Sequence, residues 1–211
     1  MPDGLLIISL LCPMFALMSG EKHIDDPIQT GIAAEMEILH QLEGEAYWKK
    51  LKAITERKEF KLVEKGIFSA AGNTDPDYIR LLDAARKATE LSFQVFILPN
   101  PKGFKSADMI LVRKGFYRMY DVKTITGERS ISSRLDASIS QSDRVLLSIN
   151  VKVNPRFLAD SIRHYFENND KGKEVLLFKG GKSIVITRAD ALSTDALSKS
   201  FQVRFRKTYT Q

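Results

Sequence analysis

The chain has almost no cysteine and little histidine. It contains a single cysteine, Cys12, so a disulfide framework and a cysteine-based zinc site are both excluded. The three histidines, His23, His40 and His164, lie far apart and form none of the usual zinc-binding spacings. Zinc chemistry is therefore disfavoured.

The sequence also lacks an apolar run that would span a bilayer comfortably. Residues 4–18 are apolar but too short, and Pro13 interrupts them. Asp3 stands where a signal peptide would carry basic residues. We expect no stable membrane span. Three interpretations of residues 1–18 stay open: a degenerate signal sequence, a buried element, or codons upstream of a start at Met14 or Met18.

Charge is only moderately one-sided. The chain has 32 Lys and Arg against 26 Asp and Glu, a net charge of +6 over 211 residues. This excess suits a polyanionic partner such as nucleic acid, although the basic residues are spread along the sequence. A diffuse surface charge and a nucleic-acid face are both compatible with it.

Apolar spacing divides the chain into a leader and two larger regions. After residues 1–18, the stretch from 19 to 75 is predicted to be a helical N-terminal region, with helices from Asp25 to about Lys65 and a turn at 69–76. From 76 to 211, helix and strand patterns alternate. The expected elements are a helix after Asp75-Pro76, strands at 92–98, 109–112, 117–124 and 144–151, helices at 131–142 and after Asn154-Pro155, a hairpin at 174–187 and an edge strand at 201–209. The prediction is an α/β fold with a mixed central sheet flanked by helices.

A polar cluster is predicted on the first hairpin. If Lys114-Gly115 is the whole loop, counting back along the ladder places Asp108 opposite Asp121. Lys123 lies two residues on, on the face of Asp121. Two carboxylates and an ammonium are costly to desolvate together, and a divalent cation such as Mg²⁺ would compensate. The alternative is a solvated strand face with a weak ion pair.

These residues carry a resemblance to a known superfamily. The order helix, three strands, helix, strand, with Ala107-Asp108 opening the second strand and Asp121-Val122-Lys123 in the third, resembles the PD-(D/E)XK nuclease core, a restriction-endonuclease-like αβββαβ unit. Within it, Lys105 to Asp108 and Gln141 are similar to features of the C-terminal tRNase domains of contact-dependent growth-inhibition (polymorphic) toxins and related phage-borne nuclease domains. The resemblance covers roughly 77–187, with Ala107 in place of the usual Pro and Asp121 in place of the usual Glu.

The resemblance implies a site and a function. Asp108 and Asp121 would be catalytic ligands of Mg²⁺ or Mn²⁺, and Lys123 would orient or deprotonate the attacking water and stabilise developing charge. A helix carboxylate, Asp83 or Glu90, would complete the metal site. The substrate-binding candidates are Lys102, Lys105 and Gln141.

The implied activity is metal-dependent endonuclease cleavage, a phosphodiester hydrolase reaction on nucleic acid, with RNA and tRNA favoured over DNA. A toxin domain of this kind would act in the cytoplasm, could be secreted or delivered, and could have an immunity protein as partner. One alternative is a non-catalytic nucleic-acid-binding or protein-binding module of a phage or mobile element. Another is an assembly protein that uses the N-terminal helices as its interface.

Overall fold

The sheet is the centre of the described structure. The computed structural model describes residues 27–39, 41–71, 77–101, 106–193 and 196–209. In these ranges eight strands form one sheet in chain order: β1 Lys61–Glu64, β2 Ile67–Ser69, β3 Gln94–Ile97, β4 Met109–Arg113, β5 Phe116–Ile125, β6 Arg144–Ile149, β7 Glu174–Lys179 and β8 Lys182–Thr187. The helices are α1 Pro27–Leu39, α2 Gly44–Thr55, α3 Tyr78–Glu90, α4 Ile131–Ser138, α5 Pro155–Glu167, α6 Arg188–Leu192 and α7 Ala196–Tyr209, with a 3₁₀ turn at Glu128–Ser130.

Strand directions are mixed. β2 runs parallel to β3, and β5, β6 and β7 are parallel to one another. The remaining neighbours pair antiparallel. Parallel pairs need crossover connections, and helices α3, α4 and α5 supply them. The predicted α/β class with a mixed sheet flanked by helices is confirmed.

β5 changes partner halfway along its length. Residues 116–120 pair with β4, whereas residues 121–125 pair with β6. Asp121 is therefore the first residue beyond the β4 ladder. We call this point the fork of the sheet, because β4 and β6 diverge from it on either side of β5.

The two faces of the sheet are covered differently. On one face, α3 packs on a single apolar core that runs from β2 to β7. On the other face there are two separate cores, one under α1 and α2 and one under α4, α5 and α7. Along β5 on this second face, Met119 belongs to the first core and Ile125 to the second. Asp121 and Lys123 alternate with them, so the polar residues lie where the two cores separate.

The N-terminal part contains strands that the sequence did not predict. We expected helix up to about Lys65, but α2 ends at Thr55 and β1 and β2 follow. Gly66 has φ of 79°, which glycine adopts at little steric cost, and it turns the chain between the two strands. Ile67 then enters the sheet core at 1% exposure. The sheet therefore begins inside the range that was predicted to be helical.

The C-terminal prediction was also wrong. Residues 201–209 were expected to form an edge strand, but they belong to helix α7. Phe201 and Phe205 lie four residues apart on one helical face and are buried in the core with α5. Tyr209 continues this face, and its hydroxyl donates a hydrogen bond to the carbonyl of Leu177 at 3.3 Å.

Several local predictions are confirmed. The Asn154 side chain accepts a hydrogen bond from the Arg156 N–H at 2.9 Å and caps α5, which begins at Pro155. β7 and β8 form the second hairpin. The predicted start at Asp75-Pro76 lies outside the described residues, as do residues 1–18. None of the described helices is long and apolar enough to cross a bilayer.

Candidate active site at the fork of the sheet

The first hairpin has the predicted register. Arg113 pairs with Phe116, so Lys114 and Gly115 form the whole loop. Both have positive φ, 51° and 78°, as a two-residue hairpin turn of the mirror-image type requires. The ladder runs back to Met109 opposite Tyr120, and the next residues on the two strands are Asp108 and Asp121.

Asp108 is held by hydrogen bonds at the end of this ladder. Its N–H donates to the Tyr120 carbonyl at 2.9 Å, and its own carbonyl accepts from the Leu98 N–H at 2.9 Å. Its carboxylate Oδ2 accepts the N–H of Val122 at 2.6 Å. The side chain thus takes the place of a β4 backbone partner where β5 continues beyond β4, which fixes the carboxylate beside Asp121.

Asp121 and Lys123 are tightly coupled. Lys123 Nζ donates to Asp121 Oδ1 at 2.7 Å and to Gln141 Oε1 at 3.0 Å. Asp121 is fully buried, and the Lys123 side chain retains 12% exposure. Asp121 Oδ2 is also buried and has no hydrogen-bond partner among the described residues. One carboxylate oxygen of Asp121 therefore accepts a hydrogen bond from Lys123, while the other has no donor among the described residues.

The two carboxylates disturb each other. Asp108 is half-buried as a residue, but its carboxyl group is enclosed by protein. Desolvation raises its pKa well above the usual value, and the nearby negative charge of Asp121 raises it further. The Val122 N–H and the charge of Lys123 oppose this shift without cancelling it. A bound cation would relieve the same repulsion.

A cleft of about 210 Å³ opens onto this group. Asp108, Lys123 and Gln141 line it, so three of the predicted site residues reach one solvent-accessible space. The remaining wall comes from the start of α3, the end of β5 and α4. The fork leaves this space open because β4 does not extend beside residues 121–125.

The two helix carboxylates that were predicted as metal ligands lie elsewhere. Asp83 accepts a hydrogen bond from Lys87 Nζ at 2.8 Å, and that nitrogen also bonds Asn150 at 2.7 Å. The carboxylate of Glu90 lies beside Gly181 at the β7–β8 turn, where a Cβ on Gly181 would be 3.7 Å from Glu90 Oε2. Neither Asp83 nor Glu90 lines the cleft, and the structure does not bring them together with Asp108 and Asp121.

Lys102 and Lys105, the predicted substrate-binding lysines, lie outside the described residues. Three charged residues that line the cleft were not predicted as site residues: Asp77 and Arg80 at the start of α3, and Arg134 on α4. On their own helices they look like ordinary surface charges. Only the packing of α3 and α4 at the fork brings them to one space.

The residues present fit a Mg²⁺ ion held by two carboxylates. Asp121 Oδ2 is an acceptor without a donor, and Asp108 meets it from the neighbouring strand. Mg²⁺ usually takes one or two protein carboxylates and completes its coordination with water and substrate phosphate. In the described ranges no group of three or more His, Cys, Asp and Glu side chains could hold a metal. A site here would therefore depend on water and substrate for its other ligands.

Comparisons with known proteins give no further guide. No family model, curated protein or solved structure matches the chain. The function must therefore be argued from the site itself.

Proposed function

We propose that the protein is a metal-dependent endonuclease that hydrolyses phosphodiester bonds of nucleic acid. The observation that carries the proposal is the grouping of Asp108, Asp121 and Lys123: Asp108 and Lys123 line an open cleft, and Asp121 is buried beside them in contact with Lys123. Carboxylates from neighbouring strands beside a buried lysine suit binding of a divalent cation next to a phosphate. A surface ion pair would leave no acceptor buried without a donor, as Asp121 Oδ2 is.

The order of elements supports membership of the PD-(D/E)XK superfamily. α3, β3, β4, β5, α4 and β6 follow one another as helix, three strands, helix and strand. This is the αβββαβ order of the restriction-endonuclease-like core, with Asp108 just before its second strand and Asp121 in its third. Asp121 is one methylene shorter than the usual Glu, and the direct contact of its Oδ1 with Lys123 accommodates the shorter side chain.

Each side chain has a distinct part in the proposed reaction. Asp108 and Asp121 hold Mg²⁺ or Mn²⁺, and the metal supplies Lewis-acid polarisation of a phosphoryl oxygen when bound. Water attacks phosphorus and loses one proton to solvent, the bond to the leaving oxygen breaks, and that oxygen takes up a proton, which gives one phosphate end and one hydroxyl end. Lys123 orients the water and stabilises the charge that develops on the phosphoryl oxygens. Gln141 holds Lys123 in position through its Oε1.

The proposed substrate is RNA, with tRNA favoured, ahead of DNA. The resemblance to toxin tRNase domains supports this order, and the net charge of +6 suits either polyanion. The same resemblance supports a toxin role in the cytoplasm of a target cell, with an immunity protein as partner.

The test is cleavage by the purified full chain. Labelled tRNA, bulk RNA and duplex DNA are incubated with Mg²⁺ or with EDTA, and the products are separated on gels. We expect Mg²⁺-dependent cleavage that is lost in EDTA and in Lys123→Gln. The matched control is Lys58→Gln, which removes the same charge from an exposed lysine outside the cleft and should leave cleavage unchanged.

The alternatives give different results. A non-catalytic binding module would bind nucleic acid without cutting it. Its affinity would be unchanged by EDTA and by Lys123→Gln. Cleavage that persists in EDTA, or that is equally fast in Lys123→Gln, would falsify the proposed mechanism. Circular dichroism of each variant separates a lost site from a lost fold.

A further inference from the structure

We propose that Arg134 binds a phosphate of the substrate strand that neighbours the phosphate being cleaved. The inference rests on the proposed function and extends it, because it assigns the cleft a second phosphate position. It also defines the substrate class: a polynucleotide with consecutive phosphates, as opposed to an isolated phosphate diester.

The balance of charges in the cleft singles out Arg134. Among the described residues, three basic side chains line the cleft: Arg80, Lys123 and Arg134. Lys123 is paired with Asp121 at 2.7 Å, and Arg80 is paired with Asp77 at 2.8 Å. Arg134 is exposed, and no carboxylate in the part of the chain that the structure describes forms an ion pair with it. Its charge is therefore the one available to an incoming anion.

The packing of α4 places Arg134 at the cleft. Ile131, Leu135 and Ser138 form the buried side of the helix, which leaves Arg134 on its flank. Beyond Ser138 the chain continues in tight turns, with the Gln141 N–H bonded to the Ser138 carbonyl at 3.0 Å. Arg134 on α4 and Gln141 in the turn that follows both line the cleft. Gln141 accepts a hydrogen bond from Lys123 Nζ, and Arg134 lines the same cleft.

The chemistry of this position suits a phosphate group. A guanidinium stays charged at all working pH values and can give two parallel hydrogen bonds to phosphate oxygens. Thr124 and Thr126 line the same cleft and bring hydroxyl donors. A contact of this kind positions the strand without reading its sequence. Arg134 is therefore a positioning residue, and Asp108, Asp121 and Lys123 keep the chemistry.

The kinetic test compares two substrates. One is a labelled single-stranded oligonucleotide of roughly 20 nucleotides, and the other is bis(p-nitrophenyl) phosphate, which has a single phosphate. We expect Arg134→Gln to raise KM for the oligonucleotide about 10-fold with kcat nearly unchanged. Activity on bis(p-nitrophenyl) phosphate should stay the same, and Arg134→Lys should restore part of the loss. Equal losses on both substrates, or no loss on the oligonucleotide, overturn the inference.

The control variant is Arg129→Gln, an exposed arginine close in sequence that does not line the cleft. It removes the same charge and should change KM by less than about twofold. If Arg129→Gln matches Arg134→Gln, the effect is general surface charge and the second phosphate position is wrong.

A binding measurement separates this inference from the proposed hydrolysis. Fluorescence anisotropy with the same oligonucleotide in EDTA needs no cleavage. We expect Arg134→Gln to weaken binding about 10-fold and to reduce the salt dependence by about 0.7 in the logarithmic slope, the value for one phosphate of a single strand. That result without any cleavage would leave the phosphate position standing and remove the nuclease proposal. Equal binding by wild type and Arg134→Gln, or no binding by wild type, removes the phosphate position.

Discussion

Two buried carboxylates in the same sheet, Asp121 and Glu174, have opposite surroundings. Glu174 accepts hydrogen bonds from the Tyr120 hydroxyl and from Arg118, the latter at 2.8 Å, and Arg144 Nε lies 3.8 Å away. Asp121 has a lysine on one oxygen, its other oxygen has no donor among the described residues, and the carboxyl group of Asp108 lies close enough to interact with it. Both are buried, yet only Glu174 is matched on both oxygens.

The difference separates a carboxylate held by structural contacts from one that we propose binds a metal ion. Around Glu174, burial and the neighbouring negative charge raise the pKa of Tyr120, so its hydroxyl remains a donor. That cluster ties β5 to β7. Around Asp121, two carboxyl groups meet in a nearly dry environment, so Asp108 holds a proton more tightly than usual, and a bound cation would take the place of that proton. An acidic pair beside an open cleft, with one buried oxygen that has no donor among the described residues, is therefore better explained by binding than by folding.

The sharpest way to break the comparison is Asp121→Asn. It removes one of the proposed metal ligands and keeps the shape of the side chain, so we expect the proposed nuclease activity to fall by on the order of 1000-fold or more. Stability should hold or rise, because a buried like charge beside Asp108 is gone. Cleavage assays and thermal melting measure the two effects. Asp160→Asn, at an exposed site on α5, is the control, and a strongly destabilised Asp121→Asn would contradict the distinction.

Glu174→Ala should show the reverse behaviour. It leaves Tyr120 without its acceptor, so we expect the free energy of unfolding to fall by about 2 kcal/mol. The loss is kept at the low end because the side chain of Arg118 is 42% exposed and can return to water. Activity of the folded fraction should stay within a few-fold of wild type. Urea unfolding measures the change. The control is Glu167→Ala, at an exposed position on α5. A loss of activity without a loss of stability in Glu174→Ala would contradict a structural role.

Magnesium should stabilise the wild-type protein. At a free concentration ten times the dissociation constant, binding to the folded state alone adds about 1.4 kcal/mol. For a chain of this size the melting temperature should rise by about 4 °C. Asp121→Asn should show no such rise, and neither should wild type in NaCl of equal ionic strength. An identical shift in wild type and variant would place the ion elsewhere.

Tyr120→Phe is the mildest change. Glu174 keeps its contact with Arg118 and loses one donor, so we expect a loss of about 1 kcal/mol in unfolding free energy. Tyr117→Phe, at a half-buried position on the same strand, gives the baseline for removing a hydroxyl. If the two variants are equally stable, the Tyr120 contact contributes little to holding Glu174.

The hairpin could be predicted from sequence because its geometry is local. Lys114-Gly115 fixes the turn, the turn fixes the register, and the register brings Asp108 to Asp121. The α7 segment could not be predicted in this way. Apolar residues stand at 201, 203, 205 and 209, a spacing that fits both a strand and a helix. Packing against α5 decided the outcome, with Val203 left 67% exposed.

The site was predictable only where the strands define it. Asp121 and Lys123 share a face by simple alternation, so their proximity follows from the sequence. Arg134 and Asp77 come from helices whose placement depends on tertiary packing, and no spacing along the chain relates them to Asp108. Asp83 and Glu90 fail for the same reason, because a shared helix face does not say which end of the sheet that face meets.

The change of partner along β5 has a mechanical consequence. Asp108 belongs to the half of the sheet that ends with β4, whereas Asp121 opens the half that continues into β6. An ion bound by both carboxylates would link the two halves of the sheet, so that metal binding would also restrict their movement relative to each other.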